Sequence, residues 1–250
     1  MKILAIDTAT ENCSAALFID GNVTSREIET ERGHADRILP MVDDLLAEAQ
    51  LALFALNAIA FGRGPGSFTG ARLAATVTQG LAFGANLNVV PISDLQAVSQ
   101  RAFNVAAAHA STVAAGTAPP PSRILVCNDA RMSEVYWACF ELDPSSGLMT
   151  LQGEEHVSKP IDVRLPPEWS PTTTVGAGRG FRAYAAALET AVPLPNLSPA
   201  FTELLPRATE IALLSIPEVA AGRLHPPEAA TPVYLRDNVA HVAQPLKPTR

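Results

Sequence analysis

A glycine-rich segment at positions 62–70 carries the residue types that are best placed to bind a ligand. It holds four glycines among nine residues, follows a predicted strand and leads into a predicted helix that Ser67 or Thr69 could cap. Backbone N–H groups at such a helix start, together with the helix dipole, can bind a phosphate or a carboxylate. A tight structural turn explains the same glycines, and from the residues alone we favour it over an anion site. The possible anion or nucleotide loop, with the turn after the first strand, comprises Asp7, Thr8, Gly64, Gly66, Ser67, Thr69 and Gly70.

The spacing within this loop departs from the established phosphate-binding and nucleophile motifs. It has no lysine, as GxxxxGK[ST] requires, and it fits neither GxGxxG nor GxSxG. Asp7 and Thr8 follow the first predicted strand, where they could contact a metal–phosphate group or bond to their own turn. Ala9 stands where actin-like ATPases carry a glycine, which argues against close approach of a phosphate. Asp129 and Arg131 could clamp a ligand, but we favour an ion pair at the surface or between domains.

The sequence lacks the patterns expected of a metal site or a covalent catalyst. The five histidines include no pair at i, i+4 or a similar ligand spacing, and no cysteine lies close to one. The three cysteines are odd in number, lack CxxC spacing and sit in apolar runs, so we predict buried, reduced thiols. We therefore predict no catalytic residue, no metal and no cofactor. These residues are His34, His109, His156, His225, His241, Cys13, Cys127 and Cys139.

The composition indicates a folded protein that does not bind RNA unaided. Of its 250 residues, 48% are apolar and 17% are charged, and the net charge is −7 with a pI near 5.2. Nucleic-acid backbones are bound by clustered lysine and arginine, which this charge balance does not favour. The apolar run at residues 3–6 is too short for a signal peptide, and no stretch approaches the ~18 apolar residues of a membrane span. We therefore expect a cytoplasmic protein without membrane contact.

Hydrophobic periodicity and turn residues predict an α/β chain. Three strands joined as an antiparallel meander are predicted at its start, with Asp20-Gly21 as one hairpin turn. The strands of the first half are predicted at 2–6, 13–19, 23–28, 57–61 and 89–90. Its helices are predicted at 36–50, at 69–84 and after the Ser93-Asp94 cap. In the second half, strands are predicted at 124–127, 134–142 and 172–177, and helices at 179–190 and 207–215.

The two halves begin in the same way, which predicts a duplicated fold. A strand, a turn carrying Asp7 and a second strand open the chain, and a strand, a turn carrying Asp129 and another strand open the second half. This is the layout of the actin-like, ribonuclease-H-like fold with two subdomains. Alanine and then proline dominate residues 104–122, which is typical of a helix tail followed by a linker. We therefore place the subdomains at residues 1–108 and 109–250.

The first two predicted helices offer a candidate surface for a protein partner. The apolar residues of helix 36–50 sweep an arc of about 160°, wider than the roughly 100° needed to cover one core. Small residues on helix 69–84 would let another helix approach closely. Covering the first sheet could also occupy both faces, and that alternative stays open. The candidate interface consists of Ile38, Leu39, Met41, Val42, Leu45, Leu46, Leu73, Val77, Gly80 and Leu81.

Five segments in order along the chain resemble the TsaB family, also called YeaZ. The run from Gly64 to Gly70 followed by Arg72 looks like the hallmark of that family and is long enough to be specific. The other four segments carry the resemblance over nearly the whole chain. They are Ile3–Thr10 with Ser14, Arg37–Met41, Asp129–Arg131 with Glu134–Ala138, and Pro232–Arg236 with Val239 and Ala240.

The resemblance implies a non-catalytic subunit that works in the formation of N6-threonylcarbamoyladenosine (t6A) at A37 of ANN-decoding tRNAs. It implies a heterodimer with the TsaD-type catalytic subunit, which holds the metal, and contact with the ATP-driven TsaE-type subunit. A synthase supplies threonylcarbamoyl-adenylate, and tRNA is reached only through the complex. The family also implies that the N-terminal helices form the bundle with TsaD and form a homodimer in its absence. The alternatives are a nucleotide-binding actin-like ATPase and a stand-alone homodimeric interaction protein, with a glycoprotease-like hydrolase more remote.

Overall fold

The computed structural model of the chain describes residues 1–112 and 119–236, and a five-stranded sheet organises the first part. The predicted meander is confirmed, because the first three strands pair antiparallel, with Lys2 opposite Ile19 and Ile19 opposite Asn22. Two further strands extend the sheet in parallel from the first strand. The strands are β1 (Lys2–Asp7), β2 (Asn12–Ile19), β3 (Asn22–Glu29), β4 (Ala58–Gly62) and β5 (Val89–Ile92), in the order β3-β2-β1-β4-β5.

Three long helices connect and cover these strands, where helices were predicted. They are α1 (His34–Glu48), α2 (Phe68–Ala85) and α3 (Asp94–Thr112). The apolar residues of β1 are buried on both faces, which explains its uninterrupted hydrophobic run. Leu4 and Ile6 pack with residues of α1 and α2, whereas Ile3 and Ala5 belong to a second cluster on the opposite face.

A four-stranded sheet repeats this arrangement in the second half. Its first three strands form an antiparallel meander, and a fourth strand pairs in parallel with the first. The strands are β6 (Arg123–Asp129), β7 (Val135–Asp143), β8 (Leu148–Ser158) and β9 (Val175–Ala177), in the order β8-β7-β6-β9. The first sheet has the corresponding strand order β3-β2-β1-β4, with the same antiparallel and parallel pairings, so the two sheets repeat one topology.

The second half departs from its predicted elements in several places. The strand predicted at 172–177 is only β9, because Pro171–Thr173 form a short 3-10 helix. The helix predicted at 179–190 is interrupted at Tyr184, whose φ of −130° and ψ of 38° are not helical. Strand β8 has no counterpart in the prediction, and part of the predicted linker and of the C-terminal tail lies outside the described residues. The helices here are α4 (Gly180–Ala183), α5 (Ala185–Ala191), α6 (Pro199–Thr202) and α7 (Ala208–Ala220).

Two helices tie the halves together. Leu95, Val98 and Ala102 of α3 pack against the second sheet. The predicted helix 207–215 is α7, and its Ile211 and Ala212 pack on the first sheet in the cluster that contains Ile3 and Ala5. A late segment of the chain therefore completes the core of the first half, and the subdomain boundary at 108/109 stays a prediction.

Candidate functional site

The glycine loop lies at the carboxyl edge of the first sheet. β1 ends at Asp7 and β4 ends at Gly62, and because the two strands are parallel, the loops that follow them meet. β5 runs parallel to β4 on the other side, so the start of α3 reaches the same edge. The topology thus brings together the turn at Thr8 and Ala9 and the loop that the sequence singled out.

Hydrogen bonds close the loop onto that turn. The Ser67 N–H donates to the Ala9 carbonyl at 2.7 Å, and the Thr8 hydroxyl donates to the Gly70 carbonyl at 2.7 Å. Ser67, not Thr69, is the N-cap of α2, because its hydroxyl accepts from the Gly70 N–H at 3.0 Å. Part of the helix start that could have held an anion therefore bonds within the protein.

The glycines of the loop allow close backbone approach. A Cβ added to Gly66 would lie 2.5 Å from the Ala9 carbonyl oxygen, and one added to Gly70 would lie 2.0 Å from that of Thr8. No side chain fits at such distances without a shift of the backbone. These contacts support the structural-turn interpretation of the glycine loop, and its use as an anion or nucleotide site stays a prediction.

Asp7 is fully buried, and a second buried carboxyl from Asp94 accompanies it. Asp7 Oδ1 accepts from the Ala9 N–H at 2.8 Å, and Asp94 Oδ2 accepts from the Gly64 N–H at 2.5 Å. Burial raises the pKa of Asp7 to about 6, and burial next to Asp7 raises the pKa of Asp94 well above its usual range. Sequence reasoning assigned Asp94 only to a helix cap. The missed signal was an aspartate after each of the two strands that flank β4.

A cleft between the halves opens beside the loop. A cavity of about 640 Å³ is lined by Thr69 and Ser67 on one side and by Asn128 and Tyr136 on the other. Arg131 crosses it, pairing with Asp129 and with Glu11, each at 3.1 Å. The ion pair between Asp129 and Arg131 that we favoured from the sequence is confirmed, and the pair of Arg131 with Glu11 joins the two halves.

The candidate interface residues divide into a buried and an accessible group. Ile38, Val42 and Leu45 are at most 1% exposed and belong to the core beneath the first sheet. The prediction that these three contact a partner is corrected, because their side chains already cover the sheet. Leu39 is 44% exposed, and Gly80 is exposed. The partly buried remainder consists of Met41, Leu46, Leu73, Val77 and Leu81.

The described residues 1–112 and 119–236 contain no group of three or more His, Cys, Asp or Glu side chains that could hold a metal ion. Cys13, Cys127 and Cys139 are buried free thiols, as predicted. Burial raises the pKa of Cys13 to about 11 and that of Cys139 to about 12, so both remain protonated at neutral pH. No helix in these same ranges is long and apolar enough to cross a bilayer.

Curated relatives and solved structures resemble this chain over most of its length. The TsaB protein of Escherichia coli, a tRNA threonylcarbamoyladenosine biosynthesis protein, is 39% identical over 99% of this chain and 100% of its own. The corresponding TsaB protein of Haemophilus influenzae is 46% identical over 55% of this chain and 53% of its own. The structure of YeaZ from Pseudomonas aeruginosa superposes with a TM-score of 0.78 at 39% identity, covering 94% of this chain and 99% of that one.

Two further matches agree with these. An uncharacterized protein with similarity to peptidase YeaZ from Pseudomonas aeruginosa gives a TM-score of 0.80 at 41% identity, over 94% of this chain and 99% of its own. The family model of TsaD, tRNA N6-adenosine threonylcarbamoyltransferase, matches residues 22–158. Together with the repeated sheet topology, these matches establish the actin-like, ribonuclease-H-like fold. The chain therefore belongs to the TsaB (YeaZ) family of tRNA threonylcarbamoyladenosine biosynthesis proteins.

Proposed function

We propose that this chain is the non-catalytic partner of a TsaD-type transferase in the formation of t6A on tRNA. The observation that carries the proposal is the full-length similarity to the Escherichia coli TsaB protein, which spans all of that relative. The TsaE-type subunit would join the pair, and tRNA would be bound only through the complex. Because such a complex acts on tRNA, we place the protein in the cytoplasm.

The geometry of the glycine loop supports an accessory role. Ser67 and Thr8 fasten the loop to the neighbouring turn, and Gly66 and Gly70 lie in close contact with backbone carbonyls. A loop fastened in this way positions the start of α2. Burial raises the pKa of all three cysteine thiols, so none of these three is an activated nucleophile.

The outer faces of α1 and α2 are the surface we assign to the TsaD-type partner. Leu39 is exposed on α1, and Gly80 of α2 has no atom of another part of the protein within 4 Å of the place a Cβ would take. A small exposed residue such as Gly80 permits the close approach of a further helix, and the exposed Leu39 offers it an apolar side chain. The buried Ile38, Val42 and Leu45 hold the same helix against its sheet.

Co-purification with the TsaD-type subunit of the same organism tests this assignment. We expect a stable one-to-one complex on size-exclusion chromatography with light scattering, and a homodimer or monomer for the isolated chain. Failure to associate at micromolar concentrations, with both proteins folded by circular dichroism, would remove the basis for a heterodimer and leave the stand-alone homodimer as the better account.

A nucleotide in the cleft is the second candidate, and one observation favours it. Asn128 is 6% exposed and lines the cavity, and neither its amide nitrogen nor its amide oxygen bonds to any described residue. A buried amide without partners is unusual, and a ligand could satisfy it. Calorimetry with ATP and Mg²⁺ separates the two accounts: submicromolar binding supports the nucleotide candidate, whereas no heat of binding supports a structural loop.

A further inference from the structure

Two buried carboxyl groups meet beneath the glycine loop. Asp7 at the end of β1 and Asp94 at the start of α3 are both fully buried, and one carboxyl oxygen of each lies beside the same glycine. Gly62 of β4 lies beside them, and a Cβ there would be 2.4 Å from Asp94 Oδ1 and 2.8 Å from Asp7 Oδ1. The missing side chain on β4 is therefore what allows two aspartates to occupy one interior space.

Each carboxyl uses one oxygen to hold a different segment. Asp7 Oδ1 accepts from the Ala9 N–H, in the turn after β1, and Asp94 Oδ2 accepts from the Gly64 N–H, in the glycine loop. The other oxygens, Asp7 Oδ2 and Asp94 Oδ1, have no further partner among the described residues. Two ionised carboxylates in such a place would repel strongly, whereas a proton between them gives each carboxyl a bond to the other.

We propose that Asp7 and Asp94 share a single proton at neutral pH and so form a proton-dependent clamp that joins the turn after β1 to the glycine loop. Protonated Asp94 donates to the Asp7 carboxylate, and each carboxyl keeps its backbone N–H. Loss of the proton leaves two buried negative charges side by side and weakens the junction between the turn and the loop, which the bonds of Ser67 and Thr8 also hold.

The charged and titratable groups near Asp7 and Asp94 do not take over the role of the shared proton in offsetting the negative charge of the pair. Arg63, just after β4, lowers the pKa of Asp94, but Arg63 also pairs with Glu155 at 2.9 Å. Glu155 of β8 additionally accepts from the Ser93 hydroxyl. On the other side the Cys13 thiol of β2 faces Asp7, and its own raised pKa keeps it neutral. Burial raises the pKa of both aspartates, which agrees with a proton that the folded pair retains.

The clamp makes the folded protein less stable as the pH rises, whereas most aspartates make a folded protein more stable as the pH rises. The folded pair keeps a proton that two exposed aspartates of an unfolded chain release near about pH 4. Its stabilisation is therefore complete below that pH and is lost as the pH rises through the folded pKa values of the pair. Above the Asp7 pKa of about 6 the folded pair keeps one proton that the unfolded chain has released, so the unfolding equilibrium constant rises there by at most about tenfold per pH unit.

Asp94→Asn supplies the direct test. The asparagine amide can donate to the Asp7 carboxylate without a titratable proton, and its oxygen can still accept from the Gly64 N–H. Urea unfolding of the full chain at several pH values gives the unfolding equilibrium constants of wild type and Asp94→Asn. As the pH rises, the wild-type constant should increase relative to that of the variant by up to about tenfold per pH unit. The exposed Asp162→Asn is the matched control, and it should leave the pH dependence of wild type unchanged.

Infrared spectroscopy of the folded wild type keeps the test decisive if Asp94→Asn fails to fold. With isotope-labelled aspartate, a protonated carboxyl band should be present at neutral pH and disappear in Asp94→Asn or in the reciprocal Asp7→Asn. Absence of that band in wild type would overturn the clamp. Parallel pH profiles for wild type and a folded Asp94→Asn would overturn it equally.

Discussion

At the residue scale, the glycine loop is defined by contacts that leave no space for a side chain. Gly66 and Gly70 touch the carbonyl oxygens of Ala9 and Thr8, and Gly62 lies against the two buried carboxyls. The same three positions therefore determine both the shape of the loop and the pairing of Asp7 with Asp94. These contacts agree with the structural turn that we favoured from the sequence, and a ligand at the loop stays a prediction.

Gly66→Val should destabilise the fold rather than affect only a ligand. The new side chain would press against the Ala9 backbone, and overpacking of this kind costs about 1–3 kcal/mol. Thermal unfolding measures the loss. Gly84→Val is the matched control, because a Cβ at Gly84 meets no atom within 4 Å and its melting temperature should change little. Unchanged stability of Gly66→Val combined with a lost ligand would instead favour the anion site.

Ser67→Ala should weaken the start of α2. The Ser67 hydroxyl accepts from the Gly70 N–H, and loss of such a cap costs about 1 kcal/mol. Thr69→Ala is the control, since Ser67 holds the cap and Thr69 is exposed. Chemical unfolding should separate the two variants by about that free energy. Equal stability of both would mean that the capping bond contributes nothing measurable.

At the element scale, α1 shows what the periodicity of apolar residues can and cannot predict. The apolar stripe correctly predicted a helix, whereas the partner surface inferred from its width stays a prediction. It could not say which residues face the sheet, because the direction of α1 relative to β2 and β3 is set by tertiary packing. The structure buries Ile38, Val42 and Leu45 and leaves Leu39 exposed.

Charge substitutions on α1 should therefore separate by position. Leu39→Glu should leave the melting temperature near that of wild type while weakening association with the TsaD-type subunit at least about tenfold, because it puts a charge at a packed interface. Leu45→Glu should prevent folding, since an unpaired charge would enter the core. Ile161→Glu, at another exposed apolar residue, serves as the control for charge alone. A folded Leu39→Glu that binds the TsaD-type subunit normally would move the interface elsewhere.

Strand β8 and the pair of helices α4 and α5 were beyond the reach of local patterns. β8 alternates little, and its residues from Leu151 to Glu155 are mostly polar, because it is the outer strand of the second sheet. It pairs with β7 across the short turn that follows Asp143, so its formation depends on this hairpin and not on an alternating pattern of its own. The break at Tyr184 between α4 and α5 coincides with a hydrogen bond from the Tyr184 hydroxyl to Asp129, which no periodicity encodes.

At the scale of the whole molecule, the repeated opening of strand, aspartate turn and strand predicted the duplicated topology, and the two sheets confirm it. The return of α7 to the first sheet was not predictable, since contacts so distant in sequence leave no local signature. The buried aspartate pair belongs to the same class of feature: Asp7 and Asp94 come together only because β1, β4 and β5 are adjacent and parallel.

The isolated protein should have no turnover of its own. We expect no threonylcarbamoyl transfer, peptidase activity or substantial ATP hydrolysis, because the described residues contain no group of three metal-ligating side chains and burial raises the pKa of the cysteine thiols. Assays on protein freed of metal and of co-purifying enzymes provide the check, with the same protein after addition of zinc or magnesium as the control. Sustained turnover by such a preparation would make the chain an enzyme in its own right.

Reconstitution of tRNA modification in vitro tests whether this chain is a required, non-catalytic partner of the TsaD-type subunit. Purified TsaD-type and TsaE-type subunits, the synthase and unmodified ANN-decoding tRNA are combined with ATP, threonine and bicarbonate, with and without this chain, and t6A is measured by mass spectrometry. We expect t6A only when this chain is present, and no t6A when this chain replaces the TsaD-type subunit. Formation of equal amounts of t6A without this chain, or any t6A without the TsaD-type subunit, would contradict it.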